Sequence, residues 1–147
     1  MNIIPNKASS FVSVIGYGTF ITRKLWKGKP NVEVCLVKHF SRIQPPNNWF
    51  PYAIPSDKSF WALKFDISVE ELEELDQYEG LPQNLFERQE TYITLKSGKQ
   101  ISAFMYVPTL NTIIAQKLAL DLDLHDRWKE EIKKYPEVVE KFPELIM

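Results

Sequence analysis

The chain has 147 residues and a net charge of −1, with 44% hydrophobic and 25% charged residues. This is ordinary globular usage, and the length suffices for one domain with a buried core. The near-zero charge does not favour a nucleic-acid or anionic-membrane partner, and no apolar run approaches the roughly 20 residues of a membrane helix. One cysteine, Cys35, excludes an intrachain disulfide and fits a reducing compartment, so we expect a cytoplasmic protein.

The first half of the chain predicts strands. Residues 11–17 (FVSVIGY) are typical of a buried strand, and residues 32–40 (VEVCLVKHF) alternate well enough for a second. Residues 50–55 (FPYAIP) are short and bounded by proline, which restricts them to an edge or irregular strand. Residues 59–66 (SFWALKFD) are a further strand candidate.

A short helix is predicted after Ser68, which begins a capping box with Glu71. In this motif the serine side chain accepts from the third helical N–H, and the glutamate reaches back to the serine N–H. Apolar residues at helical spacing follow, and Gly80 supplies a stop. The helix should therefore cover residues 69–78.

The second half predicts a hairpin and a helical tail. Strands over residues 86–95 and 99–107 flank a Ser-Gly turn, which is a good hairpin signal. Helical patterns follow after Pro108 and near residues 125–134, and residues 137–142 add one last turn. Five or six strands, one inserted helix and this tail predict an α+β domain whose sheet curls towards a barrel.

A glycine-rich segment, Gly16-Tyr17-Gly18-Thr19-Phe20, follows the first strand. Its glycines permit a sharp turn and close approach of a ligand, and successive N–H groups in such a turn can bind a carboxylate or an oxyanion. Taken alone, such a segment is more often a plain turn. It is not a dinucleotide fingerprint, because neither a third glycine nor a following helix is evident.

The predicted helix is strongly acidic, and Glu79 stands at its end. Glu70, Glu73 and Glu74 fit a solvated face. Glu79 lies beside Gly80 and after an aromatic residue, so its side chain can turn inward. A carboxylate held among aromatics has a raised pKa and can act as a base near neutral pH. From the residues alone, a surface position for Glu79 remains the simpler alternative.

Other candidates are weaker. Asp121 and His125 would share a helix face and are a conceivable metal pair, although two histidines in the chain cannot furnish a histidine-rich site. Arg23 begins a basic stretch beside the glycine-rich segment. This stretch fits a solvated loop, yet it is placed to meet an anionic group. Cys35 lies in an apolar strand and is expected to pack rather than to react.

Five motifs occur in an order that resembles the gamma-glutamylcyclotransferase-like family, which includes the avirulence-induced plant proteins. A strand ends in Tyr17-Gly18-Thr19-Phe20, and about sixty residues later a helix ends in Leu75-Asp76-Gln77-Tyr78-Glu79-Gly80. Between and after these lie Phe50–Pro55, Phe86-Glu87-Arg88 and Tyr106-Val107. The likeness covers residues 12–108, with Phe20, Ala62 and Phe65 standing where the family commonly has leucine, glycine and tyrosine.

The resemblance implies a single domain over residues 1–147, with a small mixed β-barrel as its core (12–108) and a helical tail (109–147). It implies that Glu79 is the general base and acid of a reaction that releases 5-oxoproline from a gamma-glutamyl amide. The substrate-binding residues it implies are Tyr17, Gly18, Thr19, Phe20 and Tyr106. It implies no metal or cofactor, a small-molecule substrate, and a monomer or homodimer.

Three alternatives stay open at this point. The first is an acyl-transfer enzyme on the same scaffold that removes a gamma-glutamyl group from a larger carrier. The second is a non-catalytic small-molecule binding module, which an exposed Glu79 would favour. The third is a metal-dependent hydrolase built on Asp121 and His125.

Overall fold

The protein is described by a computed structural model, which covers residues 11–45, 48–118 and 126–147. Its strands are β1 (Phe11–Gly16), β2 (Glu33–Ile43), β3 (Tyr52–Ser68), β4 (Phe86–Leu95) and β5 (Gln100–Pro108). Its α-helices are α1 (Thr19–Thr22), α2 (Val69–Tyr78), α3 (Leu110–Ala115), α4 (Trp128–Ile132) and α5 (Pro136–Lys141), and a 3-10 turn (Pro143–Ile146) follows. Within these ranges, no helix combines the length and the apolar character needed to cross a membrane.

The strands form a closed, barrel-like sheet in the order β1-β3-β2-β4-β5. The pairs β1–β3, β3–β2, β2–β4 and β4–β5 are antiparallel. The sheet closes where β1 meets β5 in parallel, with Val14 opposite Phe104. The prediction of an α+β fold with a small mixed barrel, one inserted helix and a helical tail is therefore confirmed.

The prediction of separate strands over residues 50–55 and 59–66 was wrong, because residues 52–55 and 59–66 both lie in the single strand β3, which residues 50–51 precede. Pro55 stands within β3 opposite Phe40, beside an irregularity of β2 where His39 has a φ of 70°. β1 pairs only with the later part of β3, from Leu63 onward. Pro55 thus lies where β2 is its partner and β1 is not, so its missing N–H is tolerated without ending the strand.

Both faces of the sheet are buried over parts of β1 and β3. Successive strand residues point to opposite faces, yet Val14 and Ile15 are both buried, as are Ala62 and Leu63. One face packs inside the barrel, where Cys35 lies as expected from its apolar strand. The other face is covered partly by the helical tail, through Trp128, Ile132, Val138, Phe142 and Leu145. The tail is therefore part of the core.

The helix α2 begins and ends where the sequence predicted. The Glu71 N–H donates to Ser68 Oγ at 3.1 Å, and the Ser68 N–H donates to Glu71 Oε1 at 3.3 Å, which completes the capping box. Leu72 is buried against the core. Glu79 is the residue that caps the C-terminal end, and Gly80 follows with a φ of 77°. The helix end thus fixes where the backbone of Glu79 lies.

The expectation that no helix follows the glycine-rich segment was wrong. The one-turn helix α1 begins at Thr19, directly after Gly18. The Gly18 carbonyl accepts the N–H of Ile21 at 3.0 Å and starts this turn. Four residues are too few for hydrophobic periodicity to reveal a helix.

Candidate active site

A pocket of about 380 Å³ opens between α1, the end of α2 and the segment that precedes β3. All six predicted site residues line it: Tyr17, Gly18, Thr19, Phe20, Glu79 and Tyr106. The other lining residues are mostly apolar or aromatic: Ile15, Arg23, Trp49, Phe50, Pro51, Tyr78, Gly80, Leu85 and Phe86. A concave, largely aromatic pocket with a few polar groups is the usual form of a small-molecule site.

Gly18 lets the backbone pass close to the opposite wall of the pocket. A Cβ atom at this position would lie 2.7 Å from the Cγ and Cδ atoms of Pro51, well inside contact distance.

The residue before a helix and the first helical residues have N–H groups without intrahelical partners. No hydrogen bond from the N–H groups of Gly18, Thr19 or Phe20 is found in the described parts of the chain. These donors remain available to a ligand.

Two buried tyrosines stiffen the pocket. The Tyr17 hydroxyl donates to the Tyr106 carbonyl at 2.6 Å and accepts the Ala53 N–H at 3.3 Å. Burial raises the pKa of Tyr17, and the negative charge of Glu79 raises it further. The Tyr106 hydroxyl donates to Asp76 Oδ1 at 2.7 Å, and burial raises its pKa as well. Both phenols stay neutral at physiological pH. Each hydroxyl donates its hydrogen bond to an oxygen atom of the protein.

Asp76 holds the last turn of α2 against the sheet. It accepts the Tyr106 hydroxyl and also pairs with Arg88 Nη1 at 2.6 Å. Because Glu79 lies three residues after Asp76, this anchor also positions Glu79 on the same side of the helix. Sequence reasoning gave no role to Asp76 or Arg88. Both residues nevertheless lie in two of the motifs that the sequence analysis identified, residues 75–80 and 86–88.

Glu79 lies half-buried in the wall of the pocket. Its side chain makes neither a hydrogen bond nor an ion pair within the described parts of the chain. Burial raises the pKa of Glu79 from 4.5 to about 7, because the charged form loses hydration and gains no partner. The carboxyl is therefore present in both protonation states at neutral pH, as a group that both accepts and returns a proton must be.

Phe20 is buried, and its side chain lines the pocket. It packs against Phe65 at 6.2 Å, Tyr78 at 6.1 Å and Tyr106 at 6.4 Å between ring centroids. Such offset and edge contacts stabilise aromatic clusters beyond simple burial. The Phe20 ring thus belongs to the aromatic wall of the pocket that also contains Glu79.

Arg23 is exposed to solvent and also lines the pocket. Its guanidinium stacks on the Trp49 ring at 4.9 Å, and its Nη1 donates to the Tyr78 hydroxyl at 2.7 Å. The neighbouring Lys24 and Lys29 instead pair with acids outside the pocket. Among the described residues that line the pocket, Arg23 is the cation.

A buried arginine that the sequence did not indicate joins the tail to the glycine-rich segment. Arg42 Nε donates to Asp126 Oδ2 at 2.8 Å, and its Nη1 donates to the Tyr17 carbonyl at 3.0 Å. Its guanidinium lies over the rings of Trp128 at 4.0 Å and Phe60 at 4.7 Å. Arg42 therefore fixes the carbonyl that precedes Gly18.

The two residues of the proposed metal pair, Asp121 and His125, lie outside the described residues.

The family described as "Gamma-glutamyl cyclotransferase, AIG2-like" matches residues 14–130 of this chain. The chain belongs to this family. The match includes every residue predicted for the site and extends into the helical tail, beyond the residue-108 limit of the likeness seen in the motifs. The predicted resemblance is confirmed.

Solved structures show the same fold. An Arabidopsis thaliana protein has 15% identity and a TM-score of 0.65, with 99% of this chain and 86% of that chain covered. A second Arabidopsis thaliana protein has 22% identity and a TM-score of 0.61, with 90% and 89% covered. A yeast gamma-glutamyl cyclotransferase described as specific to glutathione has 17% identity and a TM-score of 0.54, with 70% and 71% covered. No curated protein sequence matches the chain.

Proposed function

We propose that this protein is a gamma-glutamyl cyclotransferase, which releases 5-oxoproline from small gamma-glutamyl amides with Glu79 as general base and acid. One observation carries the proposal. Glu79 lies in an aromatic pocket, has no protein partner within the described residues, and has a pKa raised to about 7. Family membership supports the same reaction.

Glu79 transfers one proton in this reaction. Its carboxylate takes a proton from the alpha-amino group of the substrate, and the amine nitrogen then bonds to the gamma-carbonyl carbon of the same molecule. The bond from that carbon to the leaving nitrogen breaks, and Glu79 returns the proton to this nitrogen. The products are 5-oxoproline and a free amine, so atoms and charge balance with no co-reactant. A carboxyl with a pKa near 7 suits both proton steps.

The pocket supplies the remaining requirements. The attack is intramolecular, so holding the glutamyl chain curled removes much of the entropic barrier. The N–H groups of Gly18, Thr19 and Phe20 are placed to stabilise the oxyanion or, alternatively, to hold the alpha-carboxylate. Apolar and aromatic side chains make up most of the pocket wall, and their low polarity strengthens these interactions.

The burial of Glu79 favours catalysis over a purely binding role. In a module that binds a cationic ligand through a carboxylate, we would expect that carboxylate to have a low pKa and to be ionised at physiological pH. Here burial without a partner holds the proton on Glu79 up to about pH 7. Such a perturbed acid in a pocket is characteristic of proton-transfer sites.

The test measures 5-oxoproline release from a panel of gamma-glutamyl amino acids and amines. The wild type, Glu79→Gln and the matched control Glu74→Gln, on the exposed face of the same helix, are compared. We expect release by the wild type and by Glu74→Gln, with a loss of at least a hundredfold for Glu79→Gln, within the typical range for a general base. Release by Glu79→Gln at the wild-type rate would refute the role of Glu79. Absence of release by a folded wild type on every substrate would refute the function.

The pH dependence provides a second test. Because the base must be deprotonated, kcat/KM should fall about tenfold per pH unit below pH about 7. The Glu79→Asp variant should retain a pH-dependent residual rate, since it keeps a carboxyl in the pocket, withdrawn by one methylene. A wild-type kcat/KM that stays constant between pH 5 and pH 8 would contradict the role of Glu79 as the base.

A further inference from the structure

A second pocket, of about 410 Å³, adjoins the first one. Phe50, Leu85 and Phe86 line both pockets and form the partition between them. The wall of the second pocket opposite this partition is formed by α3 and the residue that caps its C-terminal end, through Asn111, Ala115 and Gln116. A ligand that passes the partition from Glu79 enters this second space.

Side-chain amides distinguish the second pocket, which we call the carboxamide groove. Four exposed amides line it: Gln83, Asn84, Asn111 and Gln116. None of these four side-chain amides makes a hydrogen bond within the described parts of the chain. A fifth, Asn48, is engaged, because its Nδ2 donates to the Phe50 carbonyl at 2.6 Å.

No charged side chain occurs among the described residues that line the carboxamide groove. Each side-chain amide offers both a carbonyl acceptor and two N–H donors. This set of groups matches the donors and acceptors of peptide amides. It offers no counter-ion to a free carboxylate or ammonium group.

The walls of the carboxamide groove are held in place by threonine hydroxyls. Thr112 Oγ1 donates to the Leu85 carbonyl at 2.7 Å, and Thr109 Oγ1 donates to the Asn84 carbonyl at 2.7 Å. Thr109 and Thr112 are both buried. These bonds tie α3 to the loop that joins α2 to β4, so the two walls keep a fixed spacing. A binding site whose walls are preformed loses less free energy on ordering.

We propose that the carboxamide groove is the subsite for the leaving amine, and that it favours an uncharged, peptide-like chain carrying amide groups. The proposal rests on the proposed function, because Glu79 defines where the gamma-carbonyl lies. The glutamyl part then fills the pocket beside Phe20, and the nitrogen side of the scissile bond extends past Leu85 and Phe86. Substrates with two or more amide groups beyond the gamma-amide reach the side chains of Asn111 and Gln116.

The experiment measures binding by calorimetry to full-length Glu79→Gln protein, which should bind substrates without consuming them. The short ligand is gamma-glutamyl-alanine, and the long ligand is gamma-glutamyl-alanyl-alaninamide. We expect Asn111→Ala and Gln116→Ala together to weaken the long ligand by roughly tenfold or more, since each neutral hydrogen bond contributes roughly threefold to tenfold. The short ligand should be unaffected. Gln89→Ala, an exposed amide on β4 outside both pockets, is the control.

The outcomes separate the two proposals. Selective loss of the long ligand supports the subsite. Equal affinity of the long ligand before and after the double substitution, or an equal loss for both ligands, overturns it while the cyclotransferase proposal stands. Failure of the folded Glu79→Gln protein to bind either ligand, together with absence of 5-oxoproline release by the wild type, overturns the proposed function and the subsite with it.

Discussion

Replacing Glu79 by glutamine should stabilise the protein, and increasingly so as the pH rises. The folded structure raises the pKa of Glu79 from 4.5 to about 7. At about 1.4 kcal/mol per pKa unit, this shift corresponds to about 3 kcal/mol of folding free energy that the wild type loses when the group ionises. Glutamine keeps nearly the same shape and carries no charge, so it escapes this cost.

The sign follows from proton binding. Between pH 4.5 and about 7 the folded state holds a proton on Glu79 that the unfolded chain has already released, so wild-type stability falls with rising pH in this window. The advantage of Glu79→Gln should therefore grow from about 1 kcal/mol at pH 5 to about 3 kcal/mol at pH 8. For a chain of this length, 3 kcal/mol corresponds to a rise in Tm of roughly 6–12 °C.

Urea unfolding followed by tryptophan fluorescence at several pH values from 4 to 9 measures this difference. Glu74→Gln, on the exposed face of α2, is the matched control, and its difference from the wild type should vary little with pH. A constant difference between Glu79→Gln and the wild type across this range would refute the reasoning. So would a difference that shrinks as the pH rises, because it would mean that the folded structure stabilises the charged carboxylate.

Three further predictions concern the groups around the pocket. Gly18→Ala places a Cβ atom 2.7 Å from Pro51, so it should destabilise the protein by about 1–3 kcal/mol and raise KM, as thermal unfolding and steady-state kinetics would show. Asp126→Asn leaves the buried charge of Arg42 without its anion and should cost about 3–5 kcal/mol, measured by urea unfolding; unchanged stability would contradict it. Arg23→Gln should raise KM by roughly tenfold or more with kcat little changed, since a charged hydrogen bond to a substrate carboxylate contributes about 1.5–3 kcal/mol.

Elements set by neighbouring residues were predictable from the sequence. The helix α2 needs only the Ser68–Glu71 capping box and the stop at Gly80, and both operate over a few residues. The hairpin of β4 and β5 likewise follows from its turn, where Gly98 has a φ of 92°. These signals are local, so one sequence contains all the information that they require.

Features that depend on distant partners were not predictable. Pro55 marked a strand boundary by its local chemistry, but the pairing of β3 with β2 continues past it. Arg42 resembles any polar strand residue, and only the folded tail brings Asp126 and Trp128 to it. The inward position of Glu79 also lay beyond the residues themselves, because burial depends on walls formed by segments as distant as Pro51 and Phe86.

The two acids at the end of α2 illustrate how one helix turn provides both anchoring and chemistry. Asp76 and Glu79 are three residues apart, yet Asp76 has Arg88 and the Tyr106 hydroxyl as partners, whereas no partner of Glu79 is found among the described residues. The partners of Asp76 fix the helix end against β4 and β5 and so offset the cost of burying Glu79 nearby. The unpaired acid has a pKa near 7 because burial penalises its charged form, and Arg88 pairs with Asp76 instead.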